Sequence, residues 1–428
     1  MVGVSGSVVT VTTVVLLLVV ALAVAVVASR LRVPYTLALV IVGLLLGFFH
    51  VLPDVRLNPD LVLFLFLPAL LFEGAWNLNT EALLADWLAI FILAVPGLAV
   101  SLGVIAAVMH FGAGLPLLIA LLLGAIISPT DPVAVIGLLK QLGMPARLRT
   151  LIEGESLFND GVGTAAYELV LAFLLISLGL PSELSGMAGI MVVLKGVWLF
   201  LGGPLLGVAI GLVVAGVLRP VDDHLIETTV TFSVAYGSYV IGTLLGTSGL
   251  LCVVGAGLVL GNYGRRVAMS KRTRYAVSDI WEFTGYLANS LLFLVLGDQI
   301  GASDLAGTLL YIGWAVVAVL AGRAVIVTFM LPIHDVCVRF MRKEEIATTR
   351  GGHGRQAVIP LIWRPLILLS GLRGALSLAL VLSLPRDIPM RDLLSLIVYG
   401  VVLVTLVGQG IGLRVLLPRW PIAKPQAE

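Results

Sequence analysis

Charge is scarce in this chain. Asp, Glu, Lys and Arg make up 12% of its 428 residues and apolar types 60%, whereas soluble domains hold about 25% charged residues. A soluble core cannot accommodate that much apolar surface. Cysteine is almost missing: Cys252 sits in an apolar run and Cys337 in a basic stretch, which excludes a disulfide framework and a cysteine metal site. The histidines His50, His110, His224, His334 and His353 lie near the ends of apolar runs and show no ligand spacing, leaving pH sensing as the most they offer. No nucleophile stands beside a base, so no membrane-bound enzyme is indicated. No resident cofactor is implied, and the loops are too short for a soluble output domain. A net charge of +2 is too small to attract nucleic acid.

What the chain does have is apolar runs of about 20 residues, repeated from end to end, the pattern of a polytopic all-α membrane protein. About thirteen transmembrane helices are expected, near 8–29, 34–52, 59–76, 86–110, 115–140, 151–179, 187–217, 224–245, 248–263, 276–298, 305–333, 359–384 and 391–416. The first run has no basic residues before it and Arg30 and Arg32 after it, as expected of a retained helix rather than a cleaved signal. With the N-terminus outside, nineteen of the 26 Lys and Arg fall in inner loops or the tail. Only Arg56, Arg386 and Arg391 fall outside, and Lys195, Arg323, Arg364 and Arg373 lie in or at the edge of spans. The bias places the C-terminus in the cytoplasm. An odd count suits two inverted six-helix repeats joined by an extra helix, with broken helices at matching places. The fifth run breaks at Ser128-Pro129-Thr130-Asp131-Pro132 and the twelfth at Ser370-Gly371-Leu372-Arg373-Gly374. No residue-level repeat accompanies them.

The first break carries the chemistry. Two prolines remove two backbone donors and push the residues before them out of helical angles. Thr130 and Asp131 are therefore expected in extended chain, with carbonyls free for a cation. The plainer alternative is a kinked helix with Asp131 as its cap. After a basic hairpin the chain returns with Glu155, Ser156, Asn159 and Asp160. Asp131 precedes Lys140, and Asp160 follows Leu151, by nine steps, which sets both carboxylates about 14 Å from the hairpin, near mid-membrane. Ser156 and Asp160 share one helix face, Glu155 and Asn159 the adjacent one. One face can hold an ion while the other ties the helix to the protein. Carboxylates at that depth are costly unless they have a task, so a cation and proton site is expected.

The runs SPTDPVAV and GESLFNDG, with FLPALLFEGAW at 66–76 and GLRGALSLAL at 371–380, resemble the sodium–proton exchangers of the NhaP/NHE type, among the monovalent cation–proton antiporters. The resemblance covers nearly the whole chain. It implies the NhaA-like antiporter fold, with the two broken helices crossing in a core domain, and a homodimer. By motif, Asp160 would be the essential carboxylate taking a cation or a proton. Ser156, Asp131, Glu73 and the Thr130 carbonyl would complete or flank the cation site, with Asp160, Ser156 and Thr130 ligating the transported Na⁺. Asn159 would tie the broken helices, Glu155 would pair with Arg323, and Arg373 would neutralise the helix ends at the second break.

Oxygen ligands suit a hard cation. Glu73, after Pro68 in an apolar run, could instead snorkel. Arg364, Lys195, Glu168, Glu227, Asp279 and Glu282 read as interfacial, snorkelling or pairing charges. The expected activity is electroneutral one-for-one exchange of Na⁺ or Li⁺ for H⁺ in a cell membrane. Two adjacent aspartates mark the family's electrogenic branch, and Asn159 cannot carry a proton. K⁺ selectivity and, less readily, a gated channel remain alternatives. Residues 77–180 and 301–416 are expected to form the moving core. Residues 1–76 and 181–300 should form the panel in contact with lipid and a second copy, and 417–428 a cytoplasmic tail.

Overall fold

The structure, a computed structural model, describes residues 6–31, 34–51, 62–141, 143–182, 184, 186–187, 189–301, 306–348 and 358–416. Arg32, Arg56, Arg350, His353, Arg355 and the 417–428 tail lie outside the described residues. Among the described residues every regular element is helical, as a backbone without water for its polar groups requires.

The first half holds α1 (Gly6–Leu31), α2 (Tyr35–Phe48), α3 (Leu67–Asn77), a short α4 (Thr80–Ala85), α5 (Trp87–Ile92), α6 (Leu98–Phe111), α7 (Leu117–Ile127), α8 (Val133–Gln141) and α9 (Ala146–Ser177). The second holds α10 (Gly189–Leu218), α11 (His224–Leu244), α12 (Gly249–Val259), α13 (Arg265–Val267), α14 (Lys271–Gly301), α15 (Leu309–Val325), α16 (Leu331–Thr348), α17 (Arg364–Leu369), α18 (Ala375–Leu382), α19 (Arg391–Val404) and α20 (Gly410–Leu416). These fall on the apolar runs of the sequence. Among the described residues, seven helices or joined pairs are by themselves long and apolar enough to cross a membrane. The others are shorter, more polar, or cut by a break. Several pairs are one helix with a π-helical turn inside: α5 and α6 join through Leu93–Gly97, where Pro96 lacks the donor a regular turn would use.

Some boundaries differ from the sequence expectation. The 151–179 run begins five residues early, at Ala146, so Asp160 lies about 21 Å along α9 rather than 14 Å from its start. The 305–333 run continues through α16 to Thr348. His334 is consequently not at a helix end.

Helix packing relies on bare backbone, the usual device where lipid supplies no hydrophobic drive. Gly43 and Gly47 of α2 bring that helix onto α14, so close that a Cβ on Gly47 would lie 2.0 Å from the Asp298 carbonyl oxygen. The large apolar side chains left exposed, such as Leu22, Leu205 and Val213, face the surroundings of the bundle, as lipid-facing positions do.

Candidate ion-binding site

Both expected breaks are present and they meet. Residues 128–132 separate α7 from α8, and 370–374 separate α17 from α18. The Asp131 N–H donates to the Leu372 carbonyl at 2.8 Å, so one interruption supplies the partner the other lacks. The Asp131 carboxylate accepts from the Val133 N–H at 3.0 Å and so caps α8, and its Oδ2 lies against the backbone just before α18. Gly374 makes this contact possible, because a Cβ there would sit 2.1 Å from Asp131 Oδ2.

Helix α9 divides its work by face, as its spacing implies. Asn159 is 3% exposed. Its Nδ2 donates to Thr130 Oγ1 at 2.8 Å and its Oδ1 accepts from the Thr130 N–H at 3.3 Å, tying α9 to the first break. The Ser156 hydroxyl donates to the Thr130 carbonyl, so that carbonyl is not free, contrary to the sequence expectation. The proton donated to Thr130 leaves the lone pairs of Ser156 Oγ for another partner, and the carbonyl keeps its second pair. Glu155 faces Arg323 with both oxygens, one contact measuring 2.9 Å. Arg323 Nε also donates to the Ile367 carbonyl at 3.2 Å. Arg373, 1% exposed, turns back on its own break and donates to the Gly371 carbonyl at 3.0 Å.

Asp160 points elsewhere. It lines a cavity of about 730 Å³ and is only half-buried. One wall is the first break, α9 and the start of α18; the other is α2, α3 and α14. Five carboxylates line it, Glu73, Asp131, Glu153, Asp160 and Glu282, and no basic side chain is among its described lining residues. Glu73 does not snorkel. It lies in the opposite wall, and its Oε1 accepts from Asn77 Nδ2 at 2.6 Å. The lining runs from the start of α2 along the whole of α3, the first half of α8 and of α9, the middle of α14 and the start of α18.

Asp160, Asp131, Ser156, Thr130 and Glu73 thus share one cavity, while Asn159, Glu155, Arg323 and Arg373 lie around it. Two residues were missed. Glu153 sits three residues before Ser156 and seven before Asp160 on the same face, a signal the spacing contained. Glu282, expected as an interfacial or pairing charge, is turned by α14 into the cavity lining. Glu227, read the same way, is fully buried and both its carboxylate oxygens lack a hydrogen-bond partner. The helix turns that face inward, where Thr231, one turn on, accepts from Trp281 Nε1 at 3.0 Å. Arg364 does pair, meeting Asp335 at 2.8 Å, and Asp335 also holds the buried His334 at 3.1 Å.

A family described as sodium/hydrogen exchanger, transmembrane, matches residues 14–419. The chain is 39% identical over 380 residues to the low-affinity Na⁺/H⁺ antiporter NhaS1 of Synechocystis, covering 89% of this chain and 68% of that protein. It is 38% identical over 399 residues to the Na⁺/H⁺ antiporter ApNhaP of Aphanothece halophytica, covering 93% and 71%. Its fold is similar to that of the sodium proton antiporter MjNhaP1 from Methanocaldococcus jannaschii, with a TM-score of 0.71 at 19% identity over 97% of this chain and 99% of the other.

Proposed function

The chain belongs to the sodium/hydrogen exchanger family, and we propose that it is a Na⁺/H⁺ antiporter whose cation and proton take turns on Asp160. The observation that carries this is the division of labour along α9. Asn159 is locked to the first break while Asp160, the next residue, is left to a cavity walled by acids. A carboxylate in a low-dielectric setting is costly when bare. Filled by Na⁺ or by H⁺ it is neutralised and can be carried across; empty and charged it is held back. That rule couples the two flows without ATP.

Ser156 Oγ, the second lone pair of the Thr130 carbonyl and Glu73 supply further oxygens of the type a hard cation takes. Asp131 holds the two half-helices to each other, as well as adding charge. The cavity is lined by the first break, α8, α9 and α18 on one side and by α2, α3 and α14 on the other. We take the first set as the moving core and the second as the lipid-embedded panel, where a second copy would pack. Asn159 in place of a second titratable acid makes the exchange one-for-one and electroneutral. The protein acts as a transporter in a cell membrane and needs no resident cofactor.

The test is the purified protein in liposomes with an imposed pH gradient and successive additions of Na⁺, Li⁺ and K⁺. Na⁺ should collapse the gradient in the wild type and not in Asp160→Asn. Collapse by K⁺ alone would reassign the substrate.

A further inference from the structure

Helices α3 and α14 are fastened to each other on both sides of Glu73. The Phe72 and Trp281 rings lie 4.5 Å apart between centroids, and Trp76 Nε1 donates to Ser278 Oγ at 3.1 Å. One helical turn beyond Trp281, the Glu73 side chain crosses α14 at Gly285. A Cβ on Gly285 would lie 3.0 Å from Glu73 Cγ, 3.1 Å from Cδ and 3.2 Å from Oε2. Those distances are inside ordinary van der Waals contact. Asn77 holds the other oxygen, Oε1, from its own helix. The carboxyl thus has a hydrogen bond against one oxygen and bare backbone against the other, and it lines the cavity it shares with Asp160.

We propose that Gly285 is a positioning residue for the cation site: its missing side chain sets how far the Glu73 carboxylate reaches toward an ion at Asp160, and thereby the apparent affinity for Na⁺. The inference rests on Glu73 being a ligand in the proposed function. The ring and indole anchors keep the α3 backbone from retreating, so a methyl group on Gly285 is met by the Glu73 side chain, which swings by a few tenths of an ångström or leaves Asn77. The substitution acts on the ligand, not on the carboxylate that exchanges its proton, so the turnover step is untouched.

Transport in proteoliposomes, with Na⁺ varied at fixed pH, tests it. Gly285→Ala should raise the Na⁺ KM about threefold to tenfold, equivalent to roughly 0.7–1.4 kcal/mol of binding, while Vmax is kept. The double variant with Glu73→Ala should show the KM of Glu73→Ala alone. Gly237→Ala, where a Cβ meets nothing within 4 Å, should match the wild type. An unchanged KM in Gly285→Ala, or a KM increase that persists in the Glu73→Ala background, overturns the proposal. Should Gly285→Ala fail to fold, Glu73→Asp withdraws the carboxyl by one methylene and makes room for the methyl. The Gly285→Ala/Glu73→Asp pair should then fold with the KM of Glu73→Asp alone, and a different KM again overturns it. If Glu73→Ala leaves the KM at the wild-type value while Asp160→Asn is inactive, it is the ligand role of Glu73 that fails, a result distinct from failure at Gly285.

Discussion

Arg323 offers both terminal nitrogens to both carboxylate oxygens of Glu155 across 168 residues of sequence, and the two side chains are 5% and 2% exposed. The pair joins α9 to α15 beside the crossing of the breaks, and its geometry is the two-pronged one in which guanidinium and carboxylate match best. Asp160 is five residues from Glu155 and has the opposite task. One acid is neutralised by the protein, the other by what it carries.

Glu155→Ala should cost about 3–5 kcal/mol, the usual penalty of leaving a buried charge without its partner. Purified yield and melting temperature check it. The double variant Glu155→Ala/Arg323→Ala should recover part of the loss.

Asp160→Asn should insert and purify like the wild type, because Asp160 faces a cavity rather than a packed interior, and should show no Na⁺-driven proton movement. Retained exchange in proteoliposomes would remove the central assignment.

Exchange should be insensitive to an imposed membrane potential, because each turn moves one charge each way. Transport rates at clamped K⁺/valinomycin potentials decide this; a steady dependence on voltage would mean an unequal stoichiometry.

If proton and Na⁺ compete for one carboxylate, the apparent Na⁺ KM should fall as pH rises, since the competitor becomes scarcer. Turnover should decline at both extremes, where one of the two half-reactions is starved. A KM constant across pH would separate the two sites.

Glu227→Leu should hold or raise the melting temperature, since it removes a buried carboxylate with no hydrogen-bond partner and such replacements are commonly neutral or stabilising. A marked loss of stability would show that a partner of Glu227 forms in the membrane.

Much of the architecture was legible because its causes are local. The apolar runs, the proline pair around Asp131 and the glycines around Arg373 are each properties of a few consecutive residues, and the helices and breaks fall where those residues put them. The i, i+4 spacing of Ser156 and Asp160 likewise fixed that they share a face. Glu282 and Glu227 were not legible: both are single acids in apolar helices, and spacing along one helix does not say which neighbour covers which face. Rotation of α14 opened one to the cavity, and rotation of α11 buried the other.

By itself the sequence determined that the chain is a bundle of membrane helices with two interruptions, the first holding a carboxylate, Asp131, and the second an arginine, Arg373. Helix formation, proline geometry and the cost of charge in hydrocarbon act over a few residues and need no tertiary knowledge. Only the tertiary structure decided that Asp131 caps α8 while its N–H binds the second break, that Thr130 is held by Asn159 and Ser156, and that Glu73 approaches the site from the opposite wall over Gly285. These contacts join residues tens to hundreds of positions apart. They depend on how the helices rotate against each other, which is settled by packing of the whole bundle.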